Sequence, residues 1–537
     1  MKLRFIAPVL ALILALALLA TPVLAHGVLQ RSIPEANATL DRSPAQIELF
    51  FNEALEQSFS EIQVLDSNGI RVDNADTRVD PADPTRLTVS IRSLPDGVYT
   101  VVWKVLSAVD GHVTEGAFPF AVGKVDAAAL SAAGQASKQV KLSLGEVAAR
   151  WILFVSATAL TGGTLFVLVV WKPAFQAVKP DKSGSNQPPW RKLATSAIAL
   201  VLVANVAALL VQAGQAAGSE VAAPWSLAVN SVLFTTRYGV LWIARAALAL
   251  AIAGVLPTAK TNRDRWIAFA ISLLLLLTIS LGSHAAADAD PLLPIVADWL
   301  HLVAASAWVG GLTHFVAGMW SARSLDSKLR TQLTARLLPR FSAVALISVG
   351  VLVLTGLYAG VLRVGSFEAL NNSFYGRVLI VKLILILPMI AIGAVNLLAI
   401  TPAMKLAATQ DLTGLDRSSS SRRVSRDLSG LADRFRRIIT SEITLGVALF
   451  LSVGLLTSIP PARVAVAASG LTASTNVDDL SLTLNVDPAR IGINNFSLTV
   501  KANGQSVIDA KETLLRFTPP SGKLPPSEAQ LAAKGGG

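Results

Sequence analysis

Residues 148–171 read AARWILFVSATALTGGTLFVLVVW, an apolar run whose one charged residue is Arg150. A run of this length is close to the ~20 residues that an α-helix needs to cross the hydrocarbon core of a bilayer. Further runs of the same character lie at 193–213, 238–257, 266–282, 293–317, 341–362, 378–400 and 441–459. The sequence therefore predicts a polytopic α-helical membrane bundle of eight helices over residues 148–459.

The composition agrees with a membrane protein, since 53% of the 537 residues are hydrophobic and 15% are charged. The net charge of +11 comes mainly from cations in alternate loops, at 172–192, 258–265, 318–340 and 401–440. That distribution is the positive-inside pattern, which predicts a lipid membrane and not a nucleic acid as the partner. It also predicts that the segments on either side of the bundle are extracytoplasmic, and that the protein lies in the cytoplasmic (inner) membrane.

The first 25 residues have the layout of a secretory signal peptide. A positive start at Lys2 and Arg4 precedes an apolar run that ends in the small residue Ala25. Cleavage after Ala25 would make His26 the new N-terminus. An N-terminal histidine offers a free amine and an imidazole as metal ligands; the alternative is an incidental loop residue.

Residues 26–123 carry short alternating stretches typical of β-strands, at 47–50, 62–65, 87–91 and 98–103. Turn residues separate them, so we predict an antiparallel β-sandwich of the immunoglobulin-like or cupredoxin-like kind. A linker follows at 124–147. After the last apolar run, residues 460–537 return to alternation and predict a small extracytoplasmic β module with a polar tail.

The membrane region also repeats. YGVLWIAR at 238–245 matches YGRVLIVK at 375–382, and the Gly162-Gly163 pair matches Gly310-Gly311. We predict two four-helix halves in parallel orientation. In the Gly-Gly register, the first-half equivalent of His301 is Leu153.

The chain has five histidines, no cysteine and four scattered methionines, which excludes thiolate metal sites and disfavours thioether sites. Asp110 and His112 are two residues apart, so in an extended segment their side chains project to the same side. Together with His26 they supply three nitrogens and one carboxylate oxygen, a donor set that suits tetragonal Cu(II). The alternative for Asp110-Gly111-His112 alone is a polar turn.

Several spaced motifs in this region resemble the copper-binding CopC family: His26, SIP at 32–34, IELFFNE at 47–53, GVYTVVW at 97–103, DGH at 110–112 and GAFPF at 116–120. The resemblance covers nearly all of residues 26–123. It implies a cupredoxin-like sandwich with a Cu(II) histidine brace, in which His26, Asp110 and His112 are ligands. Glu53 matches an acidic position that binds the metal in some members of the family.

The membrane region resembles the CopD family, which is associated with copper passage across the inner membrane. The residues that carry this resemblance are GSH at 282–284, WLHL at 299–302, AWVGG at 307–311, YGR at 375–377 with Lys382, and Pro460-Pro461. The whole chain thus resembles a fused CopC–CopD protein.

Three histidines descend from a predicted acidic mouth. His284 lies beside Asp288 and Asp290, His301 lies about 12 Å into the fifth helix, and His314 lies about 20 Å further. Ionisable groups within a membrane are costly and usually line a functional path, so these histidines predict a copper path. The alternatives are that His301 bonds a neighbouring helix and that His314 faces the cytoplasmic surface.

The sequence therefore predicts a copper-binding membrane protein, not an enzyme, that captures Cu(II) outside and passes copper across the membrane. A copper chaperone or a reductase is a candidate partner. One alternative is a haem-containing membrane redox protein with a copper-sensing outer domain, because helical bundles hold haem between histidines. Another is an oxidative copper enzyme. No nucleophile triad, phosphate loop or ATP-binding motif supports catalysis or ATP-driven pumping.

Overall fold

The computed structural model describes residues 29–108, 111, 113–123, 125, 142–178, 190–259, 261–288, 290–325, 327–395, 398, 402, 442–463, 471–487, 495–502, 505–506, 513–517 and 527–531. The predicted signal peptide and the predicted ligands His26, Asp110 and His112 lie outside the described residues, as does most of the predicted linker.

The N-terminal region is a β-sandwich of two four-stranded sheets, with strand orders β1-β3-β6-β5 and β2-β8-β7-β4. Its strands are β1 (Leu29–Ile33), β2 (Thr39–Leu40), β3 (Gln46–Phe51), β4 (Glu61–Leu65), β5 (Arg78–Val79), β6 (Arg86–Ser90), β7 (Gly97–Leu106) and β8 (Val113–Val122). All pairings are antiparallel except β2 with β8.

The sandwich core follows from the alternation in the sequence. In β3 every second side chain is buried, and the same holds along most of β7. Side chains such as Ile47, Leu49 and Val101 are fully buried between the sheets. Phe51 packs edge-on against Trp103 with ring centroids 5.2 Å apart, which closes one end of the core.

The helical region follows. Its helices are α1 (Leu144–Val178), α2 (Trp190–Ala216), α3 (Leu227–Thr235), α4 (Arg237–Thr258), α5 (Asn262–Ser280), α6 (Leu292–Ser324), α7 (Ser327–Arg363), α8 (Phe367–Asn372), α9 (Phe374–Val395) and α10 (Glu442–Leu456). Two of them contain a π-helical segment, Phe166–Trp171 in α1 and Ser306–Gly310 in α6.

Among the described residues, six helices are long and apolar enough to cross a membrane: α1, α2, α4, α6, α7 and α9. α5 and α10 occupy the positions of the fourth and eighth predicted crossings. The six helices show a multi-pass membrane protein, and the number eight stays a prediction.

Several helices extend beyond the apolar runs that predicted them. α7 begins at Ser327 and not near residue 341, and α6 continues to Ser324. The added turns are polar because they lie past the apolar span, so hydropathy alone did not find them. The short helices α3 and α8 were also missed, since each is under three turns long.

The two halves contain the same local unit, a short helix that turns sharply into a long one. In the first half, the hydroxyl of Thr236 accepts from the backbone N–H of Gly239 at the start of α4. In the second half, the hydroxyl of Ser373 accepts from the N–H of Gly376 at the start of α9. Both glycines lie so close to the preceding short helix that a Cβ would clash with its backbone. The unit supports the predicted repeat.

The halves meet where α1 crosses α6. A Cβ on Gly162 would clash with the carbonyl oxygen of Ser306, and a Cβ on Gly310 would clash with the carbonyl oxygen of Thr158. The two backbones are therefore in direct contact, as is common where small residues line a membrane helix interface.

Equivalent tryptophans extend the correspondence between the halves. The indole N–H of Trp151 in α1 donates to the Val447 carbonyl of α10 at 3.0 Å. The indole N–H of Trp299 in α6 donates to the Leu273 carbonyl of α5 at 2.9 Å.

Beyond α10, strands β9 (Leu471–Val477), β10 (Leu480–Asp487), β11 (Asn495–Ala502) and β12 (Gln505–Ser506) form a four-stranded sheet, and β13 (Leu514–Phe517) pairs with β14 (Ser527–Gln530). Whether these strands form a separate extracytoplasmic module stays a prediction.

Candidate functional site

One end of the β-sandwich gathers the segments that carry the predicted copper ligands. The start of β1 is opposite the end of β3, with Leu29 paired to Phe51. Two residues beyond Phe51 lies Glu53, and the next residue, Ala54, accepts a hydrogen bond from the Ala108 N–H at 3.0 Å. The Gly111 N–H in turn donates to the Ser107 carbonyl at 3.2 Å, which closes the turn that leads into β8.

Glu53 is fully enclosed at this end of the sandwich, with 0% of its surface exposed. It adjoins Ala54, which accepts from the Ala108 N–H, so it lies near the segment that contains Gly111. Its role as a metal ligand stays a prediction.

The same end of the sandwich rests on the helical domain. The side-chain amide of Gln212 in α2 donates to the Gly111 carbonyl. Gly111 has φ of +74°, and a Cβ built on it would lie 2.9 Å from the Tyr238 Cβ in α4. Glycine is therefore required here both by its backbone conformation and by the close approach of α4.

A second polar contact joins the two domains. The Lys104 ammonium of β7 donates to the Ala216 carbonyl at 2.9 Å, and Ala216 is the last residue of α2. A cation at this helix end satisfies a free carbonyl and interacts favourably with the helix dipole. Burial lowers the pKa of Lys104, and the carboxylates of Glu115 and Glu61 oppose that shift.

Apolar packing surrounds these two bonds. Leu106 of β7 forms a buried cluster with residues of α2, α3 and the loop between them: Leu209, Ala213, Ala216, Ala222, Val229 and Val232. We call the end of the bundle that carries this cluster the docking end.

His284 lies at the same docking end, in a short turn between α5 and α6, and is 8% exposed. Helix α4 contacts both this turn and the loop that contains Gly111. Tyr238 packs on Gly111, and Leu241, one turn further along α4, would lie 3.5 Å from a Cβ on Gly282. Residues three apart lie on one face of a helix, so Gly111 and the His284 turn contact the same face of α4.

The acidic mouth that was predicted beside His284 is partly neutralised. Both carboxylate oxygens of Asp288 accept from the Arg363 guanidinium, at 3.1 and 2.5 Å. This bidentate pair ties the His284 turn to the end of α7.

Sequence reasoning missed Asp298, which lies one turn before His301 in α6. The Ser283 hydroxyl donates to its Oδ2 at 3.1 Å, and Asp298 and Lys382 of α9 attract each other electrostatically. The signal was present in the sequence, because an aspartate within an apolar run is itself a functional indication.

His301 bonds to helix α7. Its Nδ1 lies 2.8 Å from the Thr355 hydroxyl oxygen. The Thr355 hydroxyl donates to the Val351 carbonyl at 2.7 Å, so Nδ1–H of His301 is the donor to Thr355. In a neutral imidazole this leaves Nε2 with a lone pair, which is the form that binds a metal.

His314 is buried in the crossing of the two halves. Its Nδ1 donates to the Gly310 carbonyl at 3.0 Å, and its ring fills the space over Gly163 in α1, where a Cβ would clash with it. With 3% exposure it does not face the cytoplasmic surface. The contacts describe a packing role.

The predicted site residues thus fall into two groups. Glu53 and Gly111 lie at the end of the β-sandwich that contacts the helical domain, His284 lies in the turn between the two halves of the membrane domain, and His301 lies in the second half. Across the part of the chain that the structure describes, no three histidine, aspartate or glutamate residues converge on one metal position.

Comparison with known proteins assigns each region. The CopC domain model matches residues 29–123, the model of the N-terminal domain of copper resistance protein D-like proteins matches 141–292, and the copper resistance protein D model matches 335–456. The copper transport protein CutJ of Bacillus subtilis (strain 168) is 30% identical over 517 residues, which cover 94% of this chain and 87% of CutJ. The chain belongs to the CopC–CopD fusion family.

Other relatives of this CopC–CopD fusion match one part each. Copper resistance protein D of Pseudomonas syringae pv. tomato is 26% identical over 272 residues, which cover 49% of this chain and 84% of that protein. The crystal structure of CopC from Methylosinus trichosporium OB3b is 34% identical, with a TM-score of 0.17, and covers 18% of this chain and 93% of that one.

Proposed function

We propose that this copper resistance and transport family member captures Cu(II) outside the cytoplasmic membrane and passes copper through its membrane domain. The amine and imidazole of His26, with Asp110 and His112, hold the ion at the docked end of the β-sandwich, and Glu53 is a further ligand. Both β regions are extracytoplasmic in this proposal. The partner that delivers or reduces copper is a chaperone or a reductase.

The observation that carries the proposal is the convergence of three segments at that end. His26 is three residues before Leu29, so the chain holds it within about 10 Å of the start of β1. In the β1–β3 register Leu29 pairs with Phe51, which is two residues before Glu53. The Ala54 carbonyl accepts a hydrogen bond from the Ala108 N–H. These contacts support a site in which the three nitrogens and one carboxylate oxygen of His26, Asp110 and His112 bind one ion.

The proposed route continues through the second half. Gly111 and the His284 turn contact the same face of α4, which supports transfer of copper from the ligand-bearing loop to His284. The Nε2 lone pair of His301 is the next donor, one turn after Asp298. His314, whose Nδ1 bonds the Gly310 carbonyl, is the last histidine of the proposed path.

The test compares two full-length proteins in lipid nanodiscs, one beginning at His26 and one carrying an extra glycine before it. The extra residue removes the amine ligand, and loss of a ligand should weaken binding at least about tenfold. We expect a nitrogen-rich Cu(II) EPR spectrum and tight binding only in the first protein. Equal binding in both would exclude the brace.

The same preparation tests the haem alternative through its absorption spectrum. A Soret band in protein purified from cells would favour the redox function, and we expect none.

A further inference from the structure

Gln212 of the membrane domain forms a buried hydrogen bond with Gly111 of the β-sandwich. Gln212 lies in the apolar helix α2 and is 6% exposed, so its amide is buried. A buried amide without a partner is costly, and this one uses its N–H to hold a carbonyl of another domain. Tyr238 of α4 packs against the same glycine.

Gly111 is the residue between the two proposed ligands Asp110 and His112. Its carbonyl belongs to the same planar peptide unit as the nitrogen and Cα of His112. A donor that fixes this carbonyl therefore fixes the plane to which the His112 side chain is attached. Because glycine has no Cβ to restrict rotation about its Cα–C bond, this plane can turn more freely in the absence of such a restraint.

We propose that Gln212 is a positioning residue for the copper site: the membrane domain, through this one amide, sets the orientation of the ligand-bearing loop. The inference rests on the proposed function, since it concerns the same copper site. By linkage, a contact that changes copper affinity is changed in strength by copper to the same extent. Copper occupancy and docking of the loop on α2 are thus coupled.

The chain offers a matched control one turn further along α2. Gln215 donates to Glu146 at 3.2 Å and makes its bond within the helical domain. Gln212→Leu removes the amide that holds Gly111, and Gln215→Leu removes a similar amide that does not contact the loop. Gln212→Glu keeps the shape of the side chain and replaces its donor by an acceptor that faces the Gly111 carbonyl.

The experiment measures Cu(II) EPR and Cu(II) affinity by competition in full-length protein that begins at His26. One hydrogen bond of this kind predicts about fivefold weaker binding in Gln212→Leu. We also expect altered EPR parameters there, a larger change in Gln212→Glu, and wild-type values in Gln215→Leu. Size-exclusion and thermal unfolding profiles identify any variant that misfolds.

Wild-type spectra and affinity in a folded Gln212→Leu or Gln212→Glu protein would overturn the inference. An equal change in Gln215→Leu would overturn it too, because the effect would then belong to α2 in general. Failure of the proposed function would give a different result: the protein with wild-type Gln212 would bind Cu(II) equally well with and without the residue added before His26.

Discussion

The two halves of the membrane domain share a backbone plan but differ in their ionisable side chains. Trp151 and Trp299 make equivalent bonds to neighbouring helices. Two residues after each tryptophan the halves diverge, with Leu153 in the first and His301 in the second. The duplicated frame therefore carries an imidazole at this position in one half and an aliphatic side chain in the other.

The buried cations show the same division. Arg245 in α4 is held by neutral groups, the Asn205 amide oxygen at 3.0 Å and the Thr278 hydroxyl at 3.1 Å. Its counterpart Lys382 in α9 instead has the Asp298 carboxylate as an electrostatic partner. The first cation is thus held by neutral hydrogen-bond acceptors, whereas the second interacts with an acidic side chain.

The first half has a different specialisation. Its short helix α3 and the end of α2 support the N-terminal β-sandwich. The corresponding helix α8 in the second half packs Ala369 against Ala462, beyond α10, in a cluster with Val364. One repeat thus contacts the N-terminal β-sandwich, and the other contains His301.

The strongest test of the shared frame is the glycine crossing. Gly162→Val and Gly310→Val should each destabilise the protein by about 3 kcal/mol or more, because the new side chain overlaps a backbone carbonyl. Gly350→Val in α7 is the control, since nothing lies within 4 Å of a Cβ there. Thermal unfolding in detergent measures the effect. Equal stability of Gly162→Val and Gly350→Val would show that the halves do not meet as described.

The next test makes the second half resemble the first. His301→Leu should lower copper transport into proteoliposomes at least about tenfold, because a proposed ligand is lost. Leu153→Met, at the equivalent first-half position, should leave the rate within about twofold of wild type. Unchanged transport in the His301→Leu protein would place the copper path elsewhere.

A smaller effect distinguishes the two buried cations. Lys382→Met leaves Asp298 without its attracting charge, and the double variant with Asp298→Asn removes both charges. We expect the double variant to be more stable than the sum of the single changes predicts, with a coupling energy of about 1 kcal/mol. A thermal unfolding cycle of the four proteins measures it. Strict additivity would mean that the two groups do not interact.

The sequence predicted what depends on local pattern. Alternation at 47–50 and 98–103 located strands β3 and β7, and apolar runs located the membrane helices. Family resemblance was required to connect Glu53 with the 110–112 motif, because the Ala54–Ala108 contact that brings this part of the chain together is a long-range property.

The contact between the β-sandwich and the membrane domain could not be predicted from local sequence pattern. Gln212 is one polar residue in an apolar helix, and nothing in its spacing indicates that it bonds to Gly111, 101 residues away. Similarly, His314 was a candidate ligand because it follows His301 in the same predicted helix. Its packing against Gly163 depends on how two helices cross, which no local pattern contains.

The glycine crossing of α1 and α6 also has a mechanical consequence. Where Gly162 meets Ser306 the two backbones are in direct contact, so this point is the pivot for any rotation of α1 against α6. A 35-residue helix such as α1 is about 50 Å long. A rotation of one degree about its middle therefore moves each end by about 0.4 Å.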